Sequence, residues 1–206
     1  PLASRAGVEA MARQIELSLT ASGYENIGTV EMLQGADGHF HFLEMNTRLQ
    51  VEHGVTEAVT GVDLVACQVR LAAGETLDAV LPAQQTLKGH AIEARVYAED
   101  PVRFLPSPGT LTTYRPPNGA GLRVETGLVE GMQVTTHYDP LLAKVIAHGA
   151  ERETARQRLC EALEQFAIAG VKHNIPALLT ILRSEQMRSG NLHTGVVPEV
   201  VSGARL

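Results

Sequence analysis

Cysteine is nearly absent from this chain: Cys67 and Cys160 are the two among 206 residues, and they stand apart, outside any CxxC or other spacing that holds a metal. One disulfide between them is the alternative to two reduced thiols, and reduced thiols in a cytoplasmic protein are the expectation. Positive charge is also in short supply. A formal net charge of −6 argues against a general nucleic-acid binder, although one well-placed arginine still recruits an anion. No apolar run approaches the ~20 residues that cross a bilayer as a helix, and no secretory leader pattern is present. Neither a membrane nor a nucleic acid is therefore expected as a partner. Internal repeats and low-complexity segments are missing too.

What is present is an ordinary globular composition, 44% hydrophobic and 19% charged, long enough for one large domain or two small ones with a substantial core. The eight histidines are scattered. His39 and His41 share a strand face, where packing is a simpler account than a metal.

The chain is organised around Phe42-Leu-Glu-Met-Asn-Thr-Arg-Leu-Gln-Val-Glu-His53. The two-residue period of extended backbone puts Glu44, Asn46, Arg48, Gln50 and Glu52 on one side and Met45, Thr47, Leu49 and Val51 on the other. A solvated edge strand also alternates, but with Lys, Thr and Ser. A row of carboxylate, amide and guanidinium groups reads as the lining of a site.

Upstream, Ile27–Leu33 and His39–Met45 are strand-like runs separated by Gln34-Gly-Ala-Asp-Gly38, a hairpin turn composition. A hairpin symmetric about Asp37 and its neighbours pairs Gln34 with His41 and Glu31 with Glu44. Like charges opposed on a sheet are destabilising, by about 1 kcal/mol at ~4 Å even in water. A hard divalent cation held by the carboxylates, with Asn46 beside it and phosphate oxygens completing the shell, offsets that. The alternative is a glutamate splayed into solvent or paired with arginine. A straight run would separate Glu44 from Glu52 by about 26 Å, so the run bends or serves two neighbouring subsites. One is for metal and phosphates near Glu44 and Asn46. The other is for a small anion near Arg48, Gln50 and Glu52, where the arginine fork suits a bicarbonate-like group and Glu52 can take a proton.

Glu31, with Glu-Met-Asn-Thr-Arg-Leu-Gln-Val-Glu-His from Glu44 to His53, resembles the second half of the ATP-grasp site of biotin carboxylases. Gly89–Pro101, Phe104–Gly109 and His137–Pro140 resemble the same family's C-terminal segment, in order and at matching spacing. The resemblance implies an α+β fold: an antiparallel sheet with flanking helices, comprising the C-terminal half of an ATP-grasp fold in residues 1–84 and the biotin carboxylase C-terminal domain in 85–206. It implies Glu31, Glu44 and Asn46 as ligands of the Mg²⁺ or Mn²⁺ that accompanies ATP, and Arg48, Gln50 and the backbone at Val51 as the bicarbonate site. Glu52 would be the base that deprotonates bicarbonate, and Arg95 the group that stabilises the enolate of biotin. The implied reaction is an ATP-dependent ligation through carboxyphosphate to carboxybiotin.

Pro1 is not an initiator residue, and Ser4 to Ser22 already reads as an amphipathic helix with Val8, Met11, Ile15 and Leu19 on one stripe. No glycine-rich phosphate loop precedes Glu31, so the N-terminal ATP-grasp lobes are expected as a missing partner, and the chain alone is expected to turn over no ATP. Further expected partners are a biotin carboxyl carrier domain and the carboxyltransferase of an acyl-CoA or urea carboxylase. Arg123 stands where some members carry a homodimer contact, while Ala120 replaces a larger aromatic there.

Two short helices, Val55–Gly61 and Asp63–Ala73, are expected, the second capped by Asp63 and stopped at Gly74. Gly54 stands where the family usually has proline, which leaves the start of the first helix looser. A linker with Pro82 follows. Strands are expected at His90–Ala98, Thr110–Tyr114, Leu122–Glu125 and Leu141–His148, and helices at Glu151–Phe166 and Asn174–Arg183. Without the resemblance, Arg95 reads as a partner of Glu93 or Glu99, and Asp139 as a strand-end turn residue. Two other readings compete: a non-catalytic docking or dimerisation module that keeps ancestral residues, and another ATP-grasp ligase of the carbamoyl phosphate or purine type. Gly89–Pro101 argues against the last.

Overall fold

The computed structural model describes residues 5–81 and 86–202. The chain divides into two compact units, Pro1–His53 with Gly61–Thr86, and Gly54–Thr60 with Leu87–Leu206. The domain boundary expected between residues 84 and 85, like Pro82 and the helix start at Ser4, lies outside the described residues.

The first unit opens with α1 (Arg5–Ser22). Met11, Ile15 and Leu19 of its stripe are half-buried, whereas Val8 is exposed. The hairpin strands β1 (Thr29–Gln34) and β2 (Phe40–Asn46) follow, and then α2 (His53–Thr60), most of which belongs to the second unit. In α3 (Leu64–Ala72), the Asp63 side chain accepts from the Ala66 N–H at 2.8 Å, satisfying one of the four open donors at the helix start. Gly74 ends that stretch with φ +91°, a left-handed conformation that glycine adopts without strain. The passage expected as linker contains a further short helix, α4 (Leu77–Val80), whose Val80 is buried and whose carbonyl lies 3.5 Å from the Cys67 thiol. Both Cys67 and Cys160 are free and buried, so the disulfide alternative does not occur.

The second unit contains β3 (His90–Tyr97), β4 (Gly109–Thr110), β5 (Thr113–Arg115), β6 (Leu122–Glu125), β7 (Gln133–Val134) and β8 (Leu141–Gly149). Then come α5 (Arg152–Gln165), β9 (Ala167–Ala169), α6 (Ile175–Arg183), α7 (Glu185–Ser189) and α8 (Val196–Ser202). The strand expected at Thr110–Tyr114 is two short ones, β4 and β5. They break at Leu111 and Thr112 because the pairing partner changes from β7 to β9. Pairing between the strands is antiparallel, as expected of the fold, but is distributed over several small sheets, the largest ordered β3-β8-β6.

That three-stranded sheet has two unlike faces. One carries Ala94 and Val96 of β3 and Ala143, Val145 and Ala147 of β8, packed with Leu159, Ala162 and Leu163 of α5 into the core. The other carries Glu93, Arg95, Arg123, Glu125 and Lys144. Period-2 alternation produces this division, because each strand sends successive side chains to opposite faces.

The outer edge of β3 is closed by one side chain. Asn174, 7% exposed, accepts from the Tyr97 N–H at 2.9 Å and donates to the Arg95 carbonyl at 3.1 Å, while its own N–H donates to the Tyr97 carbonyl at 3.1 Å. Asn174→Ala leaves a buried N–H and C=O unpaired. It is expected to lower the unfolding free energy in urea by about 1–3 kcal/mol, whereas Asn191→Ala at an exposed site stays within about 0.5 kcal/mol of wild type.

Candidate functional site

The β1–β2 hairpin sets the first constellation. Its turn closes with Gly35 N–H donating to the His39 carbonyl and Gly38 N–H to the Gly35 carbonyl, each at 2.9 Å, while Asp37 Oδ1 accepts from the His39 N–H at 3.1 Å. Gly38 has φ +84° with open space where a Cβ would be, so glycine is there for its backbone freedom.

From this turn Gln34 pairs with Phe40, not with His41 as the expected register requires. The register then shifts between Glu31 and Met32, Leu43 being the extra residue of a bulge on β2, and Glu31 pairs with Glu44. The expected pairing of the two acids therefore holds, but by a bulge and not by symmetry.

Asn46 answers the like-charge problem directly. Its Nδ2 donates to Glu31 Oε1 at 2.9 Å and to Glu44 Oε1 at 3.2 Å, so one amide bridges both carboxylates. Arg48 reaches the amide and not the acids: its Nη2 lies 3.5 Å from Asn46 Oδ1, and its Nη1 donates to the Leu49 carbonyl at 3.2 Å.

The run expected to continue as a strand stops at Asn46. Residues 47–50 are irregular, Val51 and Glu52 form a turn, and α2 starts at His53, whose N–H and Nδ1 both meet the Gln50 carbonyl, at 3.2 and 2.7 Å. A helix start cannot continue extended backbone, so the chain folds back and Gln50 Nε2 comes to 3.4 Å from Glu31 Oε1. The two subsites are thus adjoining, and the long separation of a straight run does not arise. Leaving the strand also exposes Thr47 and Val51, which alternation had put on the buried side, while Met45 and Leu49 remain half-buried. Glu44, Arg48 and Glu52 are exposed; Glu31, Asn46 and Gln50 are half-buried.

These donors fit a hard divalent cation. The Glu31 and Glu44 carboxylates are oxygen ligands of the kind Mg²⁺ and Mn²⁺ take, while the Asn46 amide meets them through its nitrogen and turns its oxygen to Arg48.

In the second unit Arg95 has its Nε 3.5 Å from Glu93 Oε1, with the acid 5% and the arginine 37% exposed. Of Glu93 and Glu99, the contact is with Glu93. Asp139 is a turn residue, its Oδ1 accepting from the Leu141 N–H at 2.9 Å. Arg123 is engaged within the chain by Glu57 of α2 and Glu125 of β6, and Lys144 pairs with Glu125.

Gly54 is buried, and a Cβ there would stand 2.6 Å from Ile146 Cδ1, so this glycine serves a close approach of α2 to β8 more than it loosens a helix start. Sequence reasoning missed Lys144 and Asn174. Lys144 had a signal, a lone cation in the apolar run Leu141–Ala147. Asn174 had none, because its partners lie 77 and 79 residues away.

Two family models match successive parts of the chain. Residues 93–199 match the biotin carboxylase C-terminal domain, and residues 4–80 match the carbamoyl-phosphate synthase L chain, ATP binding domain. A pyruvate carboxylase subunit of Methanothermobacter thermautotrophicus is 47% identical over 182 residues, covering 88% of this chain and 37% of that protein. Biotin carboxylase of Halalkalibacterium halodurans is 48% identical over 177 residues, covering 86% and 39%. The biotin carboxylase domain dimer of Hydrogenobacter thermophilus 2-oxoglutarate carboxylase, solved with MgADP, ADP and bicarbonate, superposes with a TM-score of 0.91 at 39% identity, covering 99% of this chain and 46% of that one. This chain thus spans about two fifths of the length of the curated relatives named here. Among the described residues no helix is long and apolar enough to cross a membrane. An ATP-binding match alone would leave other ATP-grasp ligases open, but the match to the biotin carboxylase C-terminal domain covers half of the sequence, and the chain belongs to the biotin carboxylase family.

Proposed function

We propose that this chain carries part of the active site of an ATP-dependent ligase that activates bicarbonate and carboxylates biotin on a carrier protein. The observation that carries this reading is the Glu31–Glu44 pair bridged by Asn46, with Gln50 folded back onto Glu31 and Arg48 on Asn46. Glu31, Glu44 and Asn46 would hold the Mg²⁺ or Mn²⁺ that comes with ATP. When bound, the cation offsets charge on the phosphates. Arg48, Gln50 and the backbone at Val51 bind bicarbonate, the guanidinium meeting its oxyanion.

Glu52 takes the bicarbonate proton, so that the freed oxygen attacks the γ-phosphate and carboxyphosphate forms as ADP leaves. Arg95, in the second unit, stabilises the oxyanion that develops on biotin when its ring nitrogen loses a proton. The carboxyl group then passes to that nitrogen as the bond to phosphate breaks, and the departing phosphate takes the proton that the nitrogen gives up.

This reading calls on further ATP-grasp lobes for a glycine-rich flap and phosphate-binding lysines. It also calls on a biotin carrier domain, and on a carboxyltransferase that passes the carboxyl group to an acyl-CoA or to urea. A homodimer is part of the same reading, with Arg123 near the contact. The free cysteines suit a reducing compartment, and we place the protein in the cytoplasm. The test is ADP release by the complete protein with its ATP-grasp lobes, with and without bicarbonate and free biotin. Release that depends on bicarbonate and rises with biotin is expected; independence from both overturns the assignment.

A further inference from the structure

We propose that Glu93 is a positioning residue for Arg95, a buried carboxylate that sets the direction of the guanidinium presented to biotin. This rests on the role given to Arg95 above, and it follows from how three strands arrange charge on one face. The register of β3 and β8 sets Arg95 opposite Lys144, and that of β6 and β8 sets Lys144 opposite Glu125. Two cations therefore occupy one cross-strand pair, an arrangement that repels. Lys144, 8% exposed, is turned to Glu125 on its far side. Its charge is poorly screened by solvent and pushes on Arg95 from the middle strand.

One counter-charge for Arg95 comes along its own strand. Glu93 lies two residues back on the same face, with Oε1 3.5 Å from Arg95 Nε. The acid is sealed, 5% exposed, while the arginine reaches the surface at 37%. Contact at Nε, between the stem and the fork, restrains the guanidinium plane and leaves its terminal nitrogens to other partners. The backbone is fixed as well, since Asn174 Nδ2 donates to the Arg95 carbonyl at 3.1 Å. Arg95 is thus held by its main chain on one side and by its side chain on the other.

Glu93 is an awkward residue for packing alone. Its Oε2 is buried without a hydrogen-bond partner among the described residues, and it faces α2 where a Cβ on Gly54 would stand 3.6 Å away. Burial pushes its carboxyl above the usual carboxylate range, against the pull of Lys144 and Arg95. An apolar side chain of similar size would fill this space without desolvating a charge. The carboxylate supplies negative charge to both Lys144 and Arg95, and of these two it is Arg95 whose side chain it touches.

The experiment uses the complete enzyme with Glu93→Gln, Glu93→Asp and Arg95→Ala. ADP release with bicarbonate but no biotin reports the first half of the reaction, and the increment with free biotin reports the second. Glu93→Gln keeps the shape and removes the charge. It is expected to lower kcat for biotin carboxylation by about 10²-fold, the scale of a misplaced reacting group, with biotin-free ADP release and the KM for ATP unchanged. Glu93→Asp, which keeps the charge, is expected to recover part of that loss. A wild-type biotin rate in Glu93→Gln, or equal loss of both activities with a lowered Tm, overturns the proposal. If Arg95→Ala itself carboxylates biotin at the wild-type rate, the role of Arg95 fails first, and the two failures are told apart.

Discussion

In the complete enzyme, Glu52→Gln is expected to lower bicarbonate-dependent ADP release by about 10²–10⁴-fold, the range for loss of a positioned general base. Bicarbonate attacks phosphorus only through an oxygen freed of its proton, and the amide keeps the size of the side chain without being able to accept that proton. The location makes the result specific. Glu52 sits in the exposed turn between the irregular residues 47–50 and α2, whereas the carboxylates assigned to the metal are on β1 and β2. The KM for ATP should therefore stay near wild type while kcat collapses, and Tm should not move. Steady-state ADP release across ATP and bicarbonate concentrations reads all of this. Wild-type turnover would remove Glu52 from the chemistry and favour a docking module that merely resembles an enzyme.

Arg95→Ala is expected to lower the rate of biotin carboxylation by about 10²–10³-fold, the loss measured when one donor to a developing oxyanion is removed. The guanidinium is charged at any accessible pH, and in the enolate it meets a full negative charge that neutral biotin lacks, so its contribution is larger in the transition state than in the ground state. ADP release without biotin should be spared, because bicarbonate activation is assigned to Arg48, Gln50 and Glu52. Loss of both activities together would assign Arg95 to the stability of the charged sheet face around Glu93, Lys144 and Glu125. Arg95→Lys separates charge from fork geometry, and recovery of a small part of the rate is expected from it.

Much of the site was legible before any coordinates. Glu31 and Glu44 could be paired because a hairpin turn and a two-residue period leave few registers, and Asn46 fell beside them by the same period. The detail of that register was not legible. Gln34 meets Phe40, and Leu43 is bulged out, because the hydrogen bonds that close the turn and those at the acids differ by one residue. Helices with a cap residue and an apolar stripe, such as α3 and α5, could be read locally. The division of one strand-like run into β4 and β5 could not, because it depends on which distant strands, β7 and β9, arrive as partners.

By itself the sequence determined the chemistry available to this protein: two carboxylates on one hairpin, an amide between them, an arginine and a further acid downstream, and a family resemblance that names their roles. Such features follow from spacing along the chain, where the backbone period is nearly invariant. The tertiary structure alone decided that Gln50 returns to Glu31, that Asn174 closes the edge of β3 beneath Arg95, and that Lys144 stands opposite that arginine with Glu93 as its counterweight. Those choices depend on which buried polar groups find partners once the core has closed, and that pairing is set by contact in space and not by distance in sequence.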